Sequence, residues 1–135
     1  MKLIYLSAVD GRPFGYKGSA VRAEIHEGRM GVREWSHKFA GFGKDRAKLV
    51  AATTIVQEYV KKDDSVTIFF DSTRLACDYQ LAFNGDWKGV RFRREWQALL
   101  KALLVCDTVP DSRAMGTRSR IIREDTQAVA DSLFK

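Results

Sequence analysis

The stretch VTIFF, Val66 to Phe70, is the tightest constraint this chain places on its own fold. It is short, rich in strand formers, free of charge, and it stops at Asp71. A run of that kind predicts a central strand covered on both faces. Cover requires helices, and helical patterns stand on either side. Asp45 to Lys61 predicts a helix with Asp45 as its N-cap. STRLACDYQLAF predicts a short helix that breaks at NGDWKG. RFRREWQALLKALLVC predicts another, with Trp96, Leu99, Leu100, Leu103 and Leu104 on one side. A final helix is expected over Glu124 to Phe134.

Three strands are expected before the first helix. Lys2 to Val9 alternates loosely, and DGRPFGYKG after it is turn chemistry. SAVRAEIHEG sets Ala20, Arg22 and Glu24 against Val21, Ala23 and Ile25, a half-buried strand. MGVREWSHKFAGF offers Val32, Trp35, Phe39 and Phe42 as a third, antiparallel strand. DTVPDSRAMGTRSR carries the weakest signal, and Pro110 permits a short edge strand there. The order β-β-β-α-β-α-α-(β)-α predicts an α/β layer structure, a mixed sheet with helices packed on it.

With 135 residues, one domain over 1–135 is expected. Apolar residues at 45% and charged residues at 30% exclude a disordered chain. No apolar run approaches the roughly 18 to 20 residues that span a bilayer. MKLIYLSAVDGRP acquires an Asp where a signal peptide needs a longer apolar core, so it is expected to be the first strand. Cys77 and Cys106 form no paired framework, which predicts reduced, buried thiols in a cytoplasmic protein.

A net charge of +6 favours polyanionic partners, nucleic acid ahead of membrane. DWKGVRFRREWQ concentrates Lys88, Arg91, Arg93 and Arg94 between Trp87 and Trp96, and Trp96 is expected in the core. Arg113, Arg118, Arg120 and Arg123 form a second cluster. Trp87, Lys88, Arg91, Arg93, Arg94, Arg118 and Arg120 are therefore the candidate nucleic-acid contacts; a solvated helix face is the competing reading. The Gly-rich GRPFGYKG matches no P-loop pattern.

Asp10 and Asp71 each follow a strand. In neighbouring strands their carboxylates would converge, and magnesium is the usual ion for such a pair. Alternatively, each caps a turn. Lys48 shares a helical face with Ala51, Ala52, Ile55 and Tyr59, an odd place for an ammonium.

Several strings, in order, resemble type 1 ribonuclease H. VDGRP…GYKGSAVRAEI is similar to that family's first hairpin, and DRAKLVAA to its first helix, Asn-Arg-x-Glu-Leu-x-Ala-Ala. VTIFFDS resembles the strand ending in Thr-Asp-Ser. REWQALLKAL is similar to the helix that opens Leu-Trp-Gln, and QAVADSLF to the last helix, Asn-x-x-Ala-Asp-x-Leu-Ala. The resemblance implies a mixed five-stranded sheet flanked by helices, three antiparallel strands first and parallel strands after. It also implies hydrolysis of the RNA strand of an RNA/DNA hybrid by two magnesium (or manganese) ions held by four acids.

Carried over by position, Asp10 would bridge both metals, Asp71 would hold the ion that activates water, and Asp131 would help hold the other. Asp125 lies six residues from Asp131, about 120° round the helix, so both cannot face one site. The Ala-Asp-x-Leu string favours Asp131. The fourth acid, a helix-borne Glu, falls on Lys48. That lysine either snorkels out along its stem or puts an ammonium where the family has a metal ion. The family's Lys-Gly-His loop falls on Gly116 and Thr117. Two functional expectations follow. One is a hybrid-binding protein with a degenerate two-metal site of weak or altered activity. The other is a catalytically inactive module of the same fold that binds nucleic acid or a protein partner.

Overall fold

Val66–Phe70 forms strand β4, which lies between β1 (Lys2–Asp10) and β5 (Asp111–Ala114) in a sheet whose order is β3 (Val32–Ala40), β2 (Gly18–His26), β1, β4, β5. The computed structural model describes residues 1–116 and 118–135, so the expectation for Thr117 falls outside the described residues. Both faces of β4 are covered, as its composition demands. Ile68 and Phe70 are fully buried on one face, and Phe69 packs on the other.

β1 (Lys2–Asp10), β2 (Gly18–His26) and β3 (Val32–Ala40) form an antiparallel meander. After α1 (Lys44–Tyr59), β4 returns parallel to β1. α2 (Thr73–Phe83) and α3 (Arg93–Leu103) lead to β5 (Asp111–Ala114), parallel to β4. α4 (Arg118–Ala128) and the short α5 (Ala130–Leu133) close the chain. The expected mixed sheet, antiparallel first and parallel after, is present.

Alternation splits the core in two. Ile4 and Leu6 of β1 join Val21, Ala23 and Ile25 of β2 beneath α1, whose Ala51, Ala52 and Ile55 are fully buried. Trp96 is fully buried there too, edge-on to Phe70 and Tyr79 with ring centroids 5.9 and 6.1 Å away. On the opposite face, Tyr5 stacks on Phe69 at 4.5 Å under Ile122 of α4 and Met115.

The register positions the site. β1 and β4 pair only as far as Leu6 and Phe70. β1 runs on, pairing β2 alone, to Asp10 opposite Ser19. A step is left in the sheet edge where β4 stops and β1 continues.

Four expectations need correction. α1 begins one residue early, with Gly43 at the N-cap and Asp45 inside the first turn. The last helix starts at Arg118 rather than Glu124, and it ends at Ala128. It buries only Ile122 and Thr126, so its apolar stripe is too thin to read. Cys77 is exposed rather than buried, because α2 turns Leu75, Asp78, Tyr79 and Ala82 inward. Cys106 is half-buried, and burial raises its thiol pKa. Leu104 lies just past the end of α3 and is 80% exposed. No helix among the described residues is long and apolar enough to cross a membrane.

Candidate functional site

At the step in the sheet edge, four elements enclose a notch of about 490 Å³. β1 contributes Ser7 to Val9. The first turns of α1 contribute Lys44, Asp45 and Lys48. The end of β4 contributes Asp71 with Ser72 and Thr73, and α4 contributes Arg123 and Gln127.

Lys48 dominates it. One helical turn in from the start of α1, its side chain is only 4% exposed. The ammonium donates to Asp71 Oδ1 and lies 3.1 Å from Asp45 Oδ1. It does not snorkel; it lies between two carboxylates. The Asp71 side chain is 9% exposed, and Asp45 is 28% exposed. A second cation reaches Asp45 from outside, with Arg91 Nη2 2.9 Å from Oδ2. Burial pushes the Asp45 carboxyl up, but Lys48 and Arg91 outweigh it and hold its pKa below the ordinary carboxylate value. From the other layer, Arg123 donates to the backbone carbonyl of Asp71, which pins the strand end to α4.

Asp10 stands elsewhere. Carrying the β1–β4 register one step past Leu6 and Phe70 puts Ser7, not Asp10, beside Asp71. Asp10 lies three residues further on, where β1 has only β2 for company. Its Oδ1 accepts from the Arg12 backbone N–H at 2.9 Å, and its Oδ2 from the Arg12 guanidinium at 2.7 and 3.0 Å. Those bonds to Arg12 hold its pKa below the ordinary value. Here the turn-capping alternative describes the geometry. Asp131 is exposed on α5, and Asp125 is exposed on α4; neither lines the notch. The α4 residues that do are Arg123 and Gln127, four apart on one helical face.

The expected trio Asp10, Asp71 and Asp131 is thus not gathered. Among the described residues, no three His, Cys, Asp or Glu side chains are grouped to hold a metal ion. The donor set does not fit the implied magnesium. Asp71, the one expected ligand in the notch, spends a carboxylate oxygen on Lys48, and Asp45 shares the same ammonium. A divalent ion would enter a wall that carries three cations, Lys44, Lys48 and Arg123, against two carboxylates.

The candidate nucleic-acid contacts divide between the layers. Arg91 reaches the notch rim through Asp45. Arg93 lies over the half-buried Trp87, 5.2 Å from the ring centre, while Lys88 and Arg94 are exposed. On the α4 side, Arg118 packs over Tyr5 at 4.9 Å, and Arg120 pairs with Glu124 at 3.1 Å. Sequence reasoning missed Ser7 and Gln127, and it read Asp45 as a cap alone. The Asp45/Lys48 spacing, three apart on a helix, was the available clue.

By sequence the chain matches no protein-family model and no curated protein. Its structure is similar to ribonuclease H1 from the halophilic archaeon Halobacterium salinarum, with 18% identity and a TM-score of 0.66, covering 96% of this chain and 98% of that one. It is similar to LC11-RNase H1 in complex with RNA/DNA hybrid, with 12% identity and a TM-score of 0.66, covering 98% and 99%. The RNase H domain of PFV, at 15% identity, gives 0.62 over 98% and 89%. These likenesses run across the whole sheet and its helices, and they show that the chain has the ribonuclease H fold.

Proposed function

We propose that this chain is a catalytically inactive module of the ribonuclease H fold that binds nucleic acid, with RNA/DNA hybrid as its preferred form. One observation carries this reading: the Lys48 ammonium lies between Asp45 and Asp71 and takes up carboxylate oxygens that a metal would need. Ser7 beside Asp71 supports it, since the strand position next to that acid has no charge to offer a metal. The net charge of +6 and the exposed Lys88, Arg91, Arg93 and Arg94 support binding to a polyanion. The structural relative in complex with RNA/DNA hybrid supports that choice of partner.

The test uses a labelled hybrid, with double- and single-stranded controls, and reads binding and cleavage together. The hybrid binds in chelator as well as in magnesium or manganese, binding weakens with salt, and the RNA strand stays intact. Brisk metal-dependent cleavage by the wild type would overturn the proposal. Equal, salt-independent retention of all three nucleic acids would remove the partner assignment.

A further inference from the structure

We propose that the notch binds a phosphate group directly, without a metal, between Lys44 of α1 and Arg123 of α4, over the buried charge of Lys48. The proposal deepens the nucleic-acid reading and rests on it only for the source of the phosphate. The sign of the wall is the first ground. Asp71 and Asp45 are already engaged by Lys48, and Arg91 engages Asp45 from outside the notch. Lys44, whose charge is also felt by the Arg12-paired Asp10, and Arg123 remain as the surplus, approaching from opposite layers of the fold. Arg123 spends one of its five N–H donors on the Asp71 carbonyl, which fixes the guanidinium at the rim with donors to spare.

The start of α1 is the second ground. Its N-cap is Gly43, which offers no side chain to the first amides, and the helix then opens on Lys44. Two cations, Lys44 and Lys48, thus lie within the first turns, at the positive end of the helix dipole. Asp45 and Asp71 already meet the Lys48 charge, so an anion resting there offsets the open amides and Lys44. Neutral donors complete the lining. Ser7 is 1% exposed on the β1 wall, Thr73 opens α2, and Gln127 stands one helical turn beyond Arg123. The space, about 490 Å³, holds a phosphate together with an attached sugar. Donors arriving from three walls suit a tetrahedral group with three outward oxygens better than a planar carboxylate with two.

The test is calorimetry on the full chain with inorganic phosphate, with chloride matched for ionic strength, and with magnesium as the opposite-sign probe. Phosphate binds, while chloride and magnesium do not. Lys44→Ala and Arg123→Ala, both exposed and so expected to fold, each weaken phosphate binding about tenfold or more. No heat with phosphate, equal heat with chloride, or full phosphate affinity in the Lys44→Ala/Arg123→Ala double variant would overturn the proposal. A competition arm identifies the source. If phosphate displaces hybrid, the notch takes a backbone phosphate; if phosphate binds without displacing it, the ligand is a free phosphate or nucleotide. Hybrid binding with no phosphate binding sinks this proposal alone. Phosphate binding with no hybrid binding sinks the functional reading and leaves this one standing.

Discussion

Lys48 is held by two carboxylates, so its removal strips the nearly buried Asp71 of its ion pair and leaves Asp45 with Arg91. Lys48→Met is expected to cost about 3–5 kcal/mol in urea unfolding at neutral pH. Asp45→Asn gives a smaller loss with a telling pH dependence. The folded pKa of Asp45 is depressed, so its contribution is full above the unfolded value, about 3.9, and is lost as pH falls through the folded one. The gap in unfolding midpoint between wild type and Asp45→Asn is therefore open at neutral pH and closes in acid, below about pH 4. Asp10→Asn, by contrast, should lower the midpoint less than Lys48→Met, because the Arg12 contacts it weakens lie at the surface, and it should cost no nucleic-acid affinity. The charge inversion is also reversible on paper. Ser7→Asp with Lys48→Glu would set four carboxylates around the notch together with Asp45 and Asp71, and calorimetry should then show magnesium binding that the wild type lacks. The lysine was legible because its neighbours at three and four residues along are apolar, which marks an inward face. Asp10 misled because Asp-Gly marks a turn without saying how far a strand outruns its partner. Ser7 carried no signal, since a serine within a strand is ordinary.

At the scale of elements, the hairpins that build the step in the sheet edge bring backbone too close for a side chain at Gly11 and, most severely, at Gly18. Gly18 opens β2 at φ 141°, and a Cβ there would lie 2.2 Å from the Phe39 carbonyl oxygen of β3. Gly18→Ala should therefore cost more than the roughly 1 kcal/mol expected for Gly15→Ala, where φ is also positive but the space is open. Thermal midpoints of the two variants, measured side by side, check this. β4 and the core face of α1 were readable because they bury many apolar residues in a clear period. α4 was not, because it buries only two residues, Ile122 and Thr126, and its other ties to the sheet are polar. β5 was readable only as a possibility, through Pro110. Its anchor lies off the strand, in the Tyr79 hydroxyl that donates to the Pro110 carbonyl at 2.8 Å. Burial raises that hydroxyl's pKa to about 12, so the anchor persists through neutral and mildly alkaline pH.

For the whole molecule, charge is divided between two layers, and the layers should not contribute equally. Arg91→Ala/Arg93→Ala/Arg94→Ala removes one cation from the notch rim and two more exposed cations around the start of α3, and should lower the salt slope of hybrid binding by about 2–3. Arg118→Ala/Arg120→Ala should change it less, because only two cations are removed and Arg120 is already paired with Glu124. Anisotropy across a salt series distinguishes the two. Fold class was legible because strand and helix order alone restricts the layers that can form. The site was only half legible, since it depends on where one strand stops against another, a distance that side-chain identity does not encode.

The pairing of Lys48 with Asp71 also changes how this molecule relates to its medium. A bound ion has an occupancy that follows its free concentration and vanishes on dilution. An ammonium carried on the chain has none of that dependence, because its tether fixes its local concentration. The notch should therefore keep one charge state from chelating buffer to metal-rich medium, and whatever the chain binds there it should bind irrespective of metal supply.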